Sequence, residues 1–308
     1  MIFSGKRVWV TGKGMVGKAL ITKLEEMNIE VFSETKKNLD LRNQSNVRGF
    51  LKSHKPDFIF QTAAKVGGIY ANSKFPANFI YDNLAIQLNI IHEAHSLDID
   101  HLVSLGSSCV YPKESPQPIK EEYLLSGPLE ETNQWYAVAK IAGAKMAEAY
   151  QKQYNRNYFS VFPTNLYGPE DNFDLETSHV IPALIKKIHI AKKEKKGFFE
   201  VWGNGEALRE FLHVDDLAEG LIFIANKNKN NESVNIGSKD EISIKNLCLL
   251  MKKILGFKGD IIFDLSKPNG TMRKKTDLSK VNKMGWKPKI GLEEGIKLTY
   301  DWFKENEV

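Results

Sequence analysis

Apolar and polar positions in the first half of the chain alternate between short strand-like runs and longer helical runs. Short apolar runs at residues 6–11, 29–32, 57–61, 101–105 and 159–162 predict five buried strands in that order. Between them, residues 83–94 and a long segment around Tyr136 have the spacing of amphipathic helices. Strands that alternate with helices of this length predict a parallel sheet with helices on both faces.

The pattern loosens after Pro169, where Pro, Gly and charged segments alternate with short helices. Residues 213–218 begin a helix and residues 234–237 form a last strand, and we predict that both return to the sheet. The predicted fold class is α/β, a Rossmann-type doubly wound parallel sheet with a smaller α/β C-terminal substrate domain. The sheet domain is predicted at 1–166 plus about 208–237, and the substrate domain at about 167–207 plus 238–308.

Composition excludes several other classes of protein. The net charge is +5 with both signs interspersed, which predicts a mild preference for anionic ligands and no nucleic-acid surface. We find no run of 18 apolar residues, so no membrane span is predicted. The two cysteines, Cys109 and Cys248, are far apart, which is typical of free thiols in a cytoplasmic protein. No His/Cys cluster has zinc-ligand spacing, so no metal site is predicted.

A glycine-rich loop follows the first strand and opens the first helix. Gly12, Gly14 and Gly17 form a Gly-x-Gly-x-x-Gly pattern in the strand–loop–helix context that dinucleotide binding requires. Such glycines allow a tight turn and close approach of the backbone to a pyrophosphate, which the helix N-terminus then faces. The predicted cofactor loop comprises Gly12, Lys13, Gly14, Met15, Val16 and Gly17.

The choice of cofactor depends on the segment after the second strand. An acidic residue there binds the ribose hydroxyl of NAD, whereas basic residues accept a 2′-phosphate. Lys36 and Lys37, together with Lys13, favour the phosphate, while Glu34 favours NAD. We predict NADPH, with Lys36 at the phosphate. Asp40 and Leu41 are predicted near the adenine, where Asp40 accepts a hydrogen bond from the amino group.

Tyr136 and Lys140 are four residues apart, so a helix places both side chains on one face. A nearby ammonium stabilises a phenolate and is predicted to lower the pKa of Tyr136. A phenol adjusted in this way can exchange a proton with a carbonyl oxygen near neutral pH. The spacing alone is common on surface helices, so the prediction depends on the glycine loop and on residues 105–112.

Residues 105–112 follow the fourth strand at the carboxyl edge of the sheet, where ligands bind in open α/β folds. Ser107 is predicted to donate a hydrogen bond to a substrate carbonyl oxygen. Cys109 is predicted to be partly exposed near a cationic cofactor ring and Lys140, surroundings that lower a thiol pKa. The alternative for Cys109 is a small buried hydrophobic residue, and this is our prediction for Cys248.

Together these motifs resemble the extended short-chain dehydrogenase/reductases and, within that family, the GDP-L-fucose synthase branch. The resemblance covers nearly the whole chain. It lies in residues 63–69, 107–112, 136–140, 163–169, 179–185, 201–203, 209–216 and 266–271. The glycine-rich and Tyr/Lys motifs mark only the superfamily, whereas the motifs containing Cys109 and His179 are specific to the branch.

The resemblance implies a role for each residue of a catalytic set. Ser107, Tyr136 and Lys140 would form a reductase triad. Hydride from NADPH would reach the sugar C4 while Tyr136 protonates the oxygen, and Lys140 would also bind the nicotinamide ribose. Cys109 and His179 would be base and acid for epimerisation at C3 and C5, whose protons are acidified by the C4 ketone.

The resemblance also implies binding residues and a homodimer formed through a helix bundle that includes the Tyr136 helix. Further cofactor contacts would come from Ala63, Ala64, Lys65, Pro163, Asn165, Leu166 and His179. The substrate, a GDP-linked 4-keto-6-deoxy sugar, would contact Val66, Gly67, Ser107, Ser108, Cys109, Asn165, Val180, Lys187, Trp202, Arg209 and Lys267. Without the resemblance, His179 is predicted as a helix N-cap or a surface histidine before Pro182. The alternative for Arg209 is a salt bridge with Glu210 or Asp216.

Two departures from the branch pattern leave the triad intact but affect the predicted sugar. The glycine loop has one residue, Lys13, between its first two glycines, where the family usually has two. Lys186 and Lys187 stand where the family commonly has paired arginines, and lysine lacks the bidentate fork of arginine.

Three alternatives remain open from the sequence. A C4-reductase alone could act on a GDP-4-keto-6-deoxy-heptose made for surface polysaccharide. A nucleotide-sugar 4,6-dehydratase or 4-epimerase is a second enzymatic alternative. Related dehydratases carry an Asp-Glu pair where this chain has Ser108 and Cys109, which disfavours dehydration. A non-catalytic nucleotide-sensing regulator is disfavoured because such proteins often lack the Tyr/Lys pair.

Overall fold

The computed structural model describes residues 2–267 and 270–308. Pro268 and Asn269, which belong to the segment 266–271 quoted above, lie outside the described residues.

The strands are β1 Arg7–Val10, β2 Glu30–Phe32, β3 Phe58–Gln61, β4 His101–Leu105, β5 Asn157–Pro163, β6 Asn165–Tyr167, β7 Phe198–Trp202, β8 Leu208–His213, β9 Val234–Ile236, β10 Glu241–Ser243, β11 Asp260–Asp264 and β12 Arg273–Lys274. The helices are α1 Met15–Glu26, α2 Gln44–His54, α3 Ile69–Lys74, α4 Pro76–Ser96, α5 Gln134–Tyr154, α6 Val180–Lys193, α7 Val214–Lys227, α8 Ile244–Leu255, α9 Ser279–Met284 and α10 Leu292–Asn306. Within the described ranges, no helix has the length and apolar character needed to cross a bilayer.

A parallel sheet with strand order β2-β1-β3-β4-β5-β9 forms the centre of the molecule. One face packs against α1 and α7, and the other against α2, α4 and α5. The central strands are buried on both faces, which is why their sequences are continuous apolar runs without polar alternation. The predicted doubly wound α/β sheet is therefore confirmed.

Small residues bring α4 and α5 unusually close together behind the sheet. A Cβ added to Gly143 would lie 2.2 Å from the side-chain oxygen of Gln87, so only glycine allows this approach. Gln87 donates a hydrogen bond to the carbonyl oxygen of Ala139 at 2.8 Å, in the same turn of α5 as Tyr136. This contact fixes the start of α5 relative to the carboxyl end of β4.

A second layer of structure lies beyond β5 and has its own apolar core. Strand β8 pairs with β6, β10 and β12, and β7 pairs with β11, while α6, α8 and α10 cover them. Helix α7 and strand β9 return to the large sheet, but β8 belongs to the second layer. Whether the predicted boundary near residue 208 holds depends on whether β8 is counted with the large sheet or with the second layer. The domain boundaries therefore stay a prediction.

Candidate active site

The glycine loop lies at the carboxyl end of β1. Gly12 has φ +83°, a conformation that glycine adopts without strain. A Cβ at Gly17 would lie 2.0 Å from the Gly12 carbonyl oxygen, so α1 rests directly on the loop. A Cβ at Gly14 would meet nothing within 4 Å, and the first turn of α1 has neither a side-chain cap nor an acidic residue. The free N–H groups and open space fit a pyrophosphate.

The loop after β3 is fastened to the glycine loop by hydrogen bonds. The Thr11 hydroxyl accepts bonds from the backbone N–H groups of Thr62 and Ala63, both at 3.0 Å. Further along, Asn83 on α4 accepts from the backbone N–H of Lys65 at 2.8 Å and donates to its carbonyl at 3.0 Å. Residues 63–65, predicted to contact the cofactor, therefore lie beside Gly12.

On the side predicted to hold the adenine, a chain of charges runs from Asp40 to Lys65. Arg42, which sequence analysis missed, binds Asp40 at 2.6 Å and Asp82 at 3.0 Å. Asp82 in turn lies 3.5 Å from the ammonium of Lys65. The hydrogen bond from Arg42 lowers the pKa of Asp40 to about 2, so this carboxylate is an ionised acceptor at neutral pH.

The residues predicted to select the cofactor are arranged in favour of a 2′-phosphate. Lys13, Lys36 and Lys37 are all exposed. Glu34 is the residue that favoured NAD in the sequence. Its carboxylate accepts a hydrogen bond from the Asn38 amide of the same loop at 2.9 Å. The residues present therefore fit NADPH, through the open glycine loop and these lysines.

Ser107, Tyr136 and Lys140 meet at the carboxyl end of β4. Ser107 forms a side-chain hydrogen bond with Tyr136. The buried Lys140 ammonium donates to the Leu105 carbonyl oxygen at 2.6 Å and lies 5.9 Å from the Tyr136 ring centroid. The sequence thus predicted the grouping of these three side chains.

The predicted direction of the Tyr136 pKa shift was wrong. Burial raises the pKa of the phenol, the charge on Cys109 raises it further, and the hydrogen bond with Ser107 opposes both. Burial also lowers the pKa of Lys140 to about 8. The phenol of Tyr136 is therefore protonated at neutral pH, which is the form that donates a proton to a substrate oxygen.

Cys109 is half-buried in a polar environment, so the alternative of a buried hydrophobic residue does not apply to it. The sulfur accepts a hydrogen bond from the Asn133 amide at 3.3 Å and lies 3.7 Å from the Lys274 ammonium. The sulfur therefore faces an amide donor and an ammonium donor. Sequence analysis missed Asn133 and Lys274, since no local pattern links Lys274 to a residue 165 positions away. Cys248 is 0% exposed in the second core, as predicted.

His179 occupies the N-cap position of α6, but its side chain forms no capping hydrogen bond. The segment before it is fixed to the loop after β3, since the Gly68 N–H donates to the Thr177 carbonyl at 2.8 Å. His179 is exposed to solvent, yet desolvation by the neighbouring protein atoms lowers the pKa of its imidazole. Among the described residues no hydrogen bond joins His179 to Cys109. Its predicted role in proton transfer stays a prediction.

Three residues predicted to bind substrate come together around an indole ring. The ammonium groups of Lys187 and Lys267 lie 5.9 and 5.6 Å from the Trp202 ring centroid. Lys187 also donates to the Glu200 carbonyl oxygen at 3.0 Å, which holds its charge beside the ring. An indole with two adjacent cations suits a stacked base that carries a diphosphate.

Arg209 lies on β8 directly opposite Lys274 on β12. The carboxylates considered as its salt-bridge partners bind other groups. Glu210 accepts from the Thr276 hydroxyl at 2.9 Å, and Asp216 accepts from the backbone N–H of Ile290 at 2.9 Å. The nearby charges of Cys109 and Glu130 raise the pKa of Arg209 against the larger effect of burial, which lowers it.

The remaining predicted contacts differ in their exposure. Val66 is 60% exposed, whereas Ser108 is only 4% exposed, because it begins the tight turn at 108–110. Asn165 donates its amide to the Glu210 carbonyl oxygen at 2.9 Å, which ties β6 to β8. The other predicted contacts are Gly67, Pro163, Leu166 and Val180. All of these contacts stay predictions.

Comparison with known proteins identifies the family. Residues 8–237 match the NAD dependent epimerase/dehydratase family. The chain belongs to this family. This confirms the resemblance to the extended short-chain dehydrogenase/reductases and their GDP-L-fucose synthase branch.

Relatives within this epimerase/dehydratase family span almost the entire chain. The GDP-L-fucose synthase of Sinorhizobium fredii is 49% identical over 306 residues, which cover 99% of this chain and 98% of that protein. A GDP-6-OMe-4-keto-L-xylo-heptose reductase from C. jejuni is 36% identical, with a TM-score of 0.92 and 98% of each chain covered. A GDP-L-fucose synthetase from Naegleria fowleri bound to NADP is 29% identical, with a TM-score of 0.89 and 98% and 94% covered.

The loop that carries His179 also contains an unusual carboxyl group. One oxygen of Asp171 accepts from the Asn172 N–H at 2.7 Å, and the other is buried with no partner among the described residues. Burial raises the pKa of Asp171 to about 7. The folded state therefore binds more protons than the unfolded chain, whose Asp pKa is about 3.9. The contribution of Asp171 to the free energy of unfolding should therefore fall as pH rises from about 4 to 7 and then stay reduced.

Asp171→Asn is expected to remove this dependence. The melting temperature of the variant relative to the native protein should rise between pH 5 and 8 by about 2 °C or more, since each kcal/mol shifts Tm by about 2–4 °C in a protein of this size. Differential scanning calorimetry at several pH values measures the difference. Asp174→Asn is the control, because Thr177 lowers the pKa of the exposed Asp174. Parallel melting curves for Asp171→Asn and the native protein over this pH range would contradict the prediction.

Proposed function

We propose that this family member reduces the C4 ketone of a GDP-linked 4-keto-6-deoxy sugar with NADPH and epimerises the same sugar at C3 and C5. The observation that carries the proposal is the single cluster at the end of β4. There the Ser107–Tyr136 pair adjoins a Cys109 sulfur with two donors, Asn133 and Lys274. A reductase alone has no need of a thiol held in this way.

NADPH is the proposed cofactor. Its pyrophosphate would bind at Gly12–Gly17 and its 2′-phosphate at Lys13 and Lys36, with Asp40 and residues 63–65 along the adenosine half. The exposed lysines and the open space over Gly14 support this placement. When bound, NADPH supplies hydride to the sugar C4.

In the proposed reduction, Tyr136 protonates the oxygen that develops negative charge at C4. The raised pKa of the phenol keeps it protonated until that charge forms. Ser107 donates a hydrogen bond to the same oxygen and orients the phenol. Lys140, held by the Leu105 carbonyl oxygen, supplies positive charge beneath the ring and a donor for the ribose.

In the proposed epimerisation, Cys109 removes a proton from a carbon next to the C4 ketone and leaves an enolate. Asn133 and Lys274 stabilise the thiolate that this step requires. His179 in its imidazolium form gives its proton to the opposite face of the enolate carbon, which inverts the centre and leaves a thiol and a neutral imidazole. Proton exchange with solvent restores the thiolate and the imidazolium before the second centre reacts. The same pair acts on C3 and C5, since both carbons flank the ketone.

The GDP-sugar is proposed to extend from this cluster toward Trp202. The guanine would stack on the indole, with Lys187, Lys267 and Arg209 near the diphosphate. The positions of Lys187 and Lys267 beside the indole support this arrangement. Lysines in place of an arginine pair give charge without bidentate geometry, which suits a substrate held at fewer fixed points.

One observation favours a second candidate. The heptose reductase from C. jejuni has nearly the same fold as this chain, with a TM-score of 0.92. A heptose carries one more carbon than a hexose beyond the reacting centres. The second candidate is therefore C4 reduction alone, on a GDP-4-keto-6-deoxy-heptose.

Proton NMR in D₂O with NADPH and GDP-4-keto-6-deoxy-mannose separates the two candidates. We expect deuterium at C3 and C5 and a GDP-L-fucose product. Oxidation of NADPH without deuterium at either carbon would reject the epimerase function and support the C4 reductase. If NADPH binds tightly and no product forms with either the hexose or the heptose, a regulatory role would replace both.

We also propose a homodimer formed through α4 and α5. Large apolar side chains are exposed along these adjacent helices, at Tyr81 and Leu88 on α4 and at Trp135 and Val138 on α5. Large apolar side chains exposed on adjacent helices are typical of an interface between copies of a chain. A cytoplasmic setting is proposed from the two free cysteines, one of which is the proposed base.

A further inference from the structure

Glu130 lies directly behind the Cys109 cluster and has no part in the mechanism above. The residue is 7% exposed, which is rare for a carboxylate without a structural or functional reason. It precedes the short turn Glu131–Asn133 as the N-cap residue, and its carboxylate faces the Thr132 N–H at 3.5 Å. Its carbonyl oxygen accepts from the Asn133 N–H at 3.2 Å. Glu130 thus shapes the turn that presents Asn133 to the sulfur.

The same carboxylate reaches a second segment of the chain. Its other oxygen accepts a hydrogen bond from the Thr271 hydroxyl at 3.1 Å, a contact between residues 141 positions apart. Thr271 lies three residues before Lys274, and strand β12 begins between them at Arg273. One carboxylate therefore binds both segments that supply a donor to Cys109.

Charged groups from several elements face this carboxylate. Lys113 lies 3.7 Å from it, and the charges of Glu130 and Cys109 both act on Arg209 of β8. Lys274 of β12 is directly opposite Arg209 in the strand register. The negative charge of Glu130 by itself disfavours a thiolate nearby, whereas its hydrogen bonds bring thiolate-stabilising donors to the sulfur. These two effects have opposite signs, so they can be separated experimentally.

We propose that Glu130 is a positioning residue for Cys109. Its carboxylate joins the Asn133 turn to the Lys274 segment and so holds both donors on the sulfur. The inference rests on the proposed role of Cys109 in proton transfer. It extends that role to a residue that does not touch the reacting carbons.

The test measures the alkylation rate of Cys109 by iodoacetamide in the full-length protein as a function of pH, with mass spectrometry to locate the label. Only the thiolate reacts, and a rise of one pKa unit slows the reaction about tenfold at neutral pH. Glu130→Ala removes the hydrogen bonds and the charge, while Glu130→Gln removes the charge but keeps an acceptor for Thr271. Glu131→Gln is the matched control, since Glu131 is exposed beside the same turn.

We expect Glu130→Ala to be alkylated about tenfold more slowly than the native protein. Glu130→Gln should react at the native rate or faster, and Glu131→Gln at the native rate. If Glu130 acted only through its charge, Ala and Gln would both accelerate alkylation, and this outcome would overturn the proposal. Equal rates for Ala, Gln and native protein would overturn it as well.

Thr271→Val tests the same hydrogen bond from its other end and replaces Glu130→Ala if that variant does not fold. It keeps the volume of the side chain and removes the hydroxyl donor. Slower alkylation supports the proposal, and a native rate contradicts it. No sugar takes part in alkylation, so the alkylation rates do not depend on whether the protein is an epimerase. Failure of the proposed function can therefore be told apart from failure of the Glu130 proposal.

Discussion

Tyr136→Phe is expected to abolish reduction of the C4 ketone while leaving NADPH binding nearly intact. The phenol is the proposed proton donor, and general acid catalysis by a positioned side chain contributes about 10²–10⁴-fold in rate. Phe keeps the ring that packs edge-on against Phe79, so the fold of the site is retained. Steady-state oxidation of NADPH measures the loss, and fluorescence titration with NADPH measures binding.

Loss of the Tyr136 hydroxyl should also break its hydrogen bond with Ser107 and remove the phenol next to the Cys109 charge. The Cys109 side chain itself is unchanged by this substitution. Deuterium exchange at C3 and C5 should therefore persist in the variant although reduction has stopped. Tyr154→Phe, the same change near the end of the same helix, serves as the control and should turn over normally. Normal turnover by Tyr136→Phe would show that another group donates the proton.

Cys109→Ser is expected to remove epimerisation and to spare direct reduction at C4. A serine hydroxyl keeps the hydrogen-bonding geometry with Asn133 and Lys274 but does not ionise near neutral pH. Deuterium incorporation at C3 and C5 should fall by about 10²–10⁴-fold, the range for loss of a general base. The reduced product should then retain the substrate configuration at both carbons, which proton NMR resolves.

The second thiol provides the control for this experiment. Cys248→Ala removes a buried side chain in the core formed by α6, α8 and α10, far along the chain from β4. It is expected to lower stability and to leave the stereochemistry of the product unchanged. Unchanged product stereochemistry in Cys109→Ser would instead show that Cys109 is not the base.

The fold was predictable because its strands are buried on both faces. Strand β4 at His101–Leu105 matches the predicted run, and β3 at Phe58–Gln61 differs from its predicted run by one residue. Such runs have few alternatives in a chain where helices separate them. The assignment of β8 was harder, since its pairing with β6, β10 and β12 depends on residues distant in sequence.

The site was predictable where its residues follow a strand or share a helix face. Ser107 follows β4, and Tyr136 and Lys140 are one helical turn apart, so their grouping needs little beyond the local structure. Asn133 and Lys274, which face the Cys109 sulfur, and Glu130, which binds the segments that carry them, were missed because these contacts depend on how two loops pack. No periodicity or spacing in the sequence records such a contact.

The direction of the Tyr136 pKa shift also could not be predicted from spacing along the sequence. The sequence places an ammonium near the phenol, which predicts a lowered pKa, but Tyr136 is half-buried and its desolvation raises the pKa. Desolvation depends on every element that covers a group, whereas spacing along a helix reports only one neighbour.

The sequence by itself thus determined the α/β sheet, the glycine loop, the triad and the family, because periodicity and short-range spacing encode local structure and its chemistry. Only the tertiary structure decided which donors reach the Cys109 sulfur, which carboxylates bind Arg42 and Thr271, and which oxygen of Asp171 is buried without a partner. Apart from the Arg42–Asp40 pair, the contacts among them join segments tens to hundreds of residues apart. Their energies depend on distance and exclusion of water, which are properties of the folded chain.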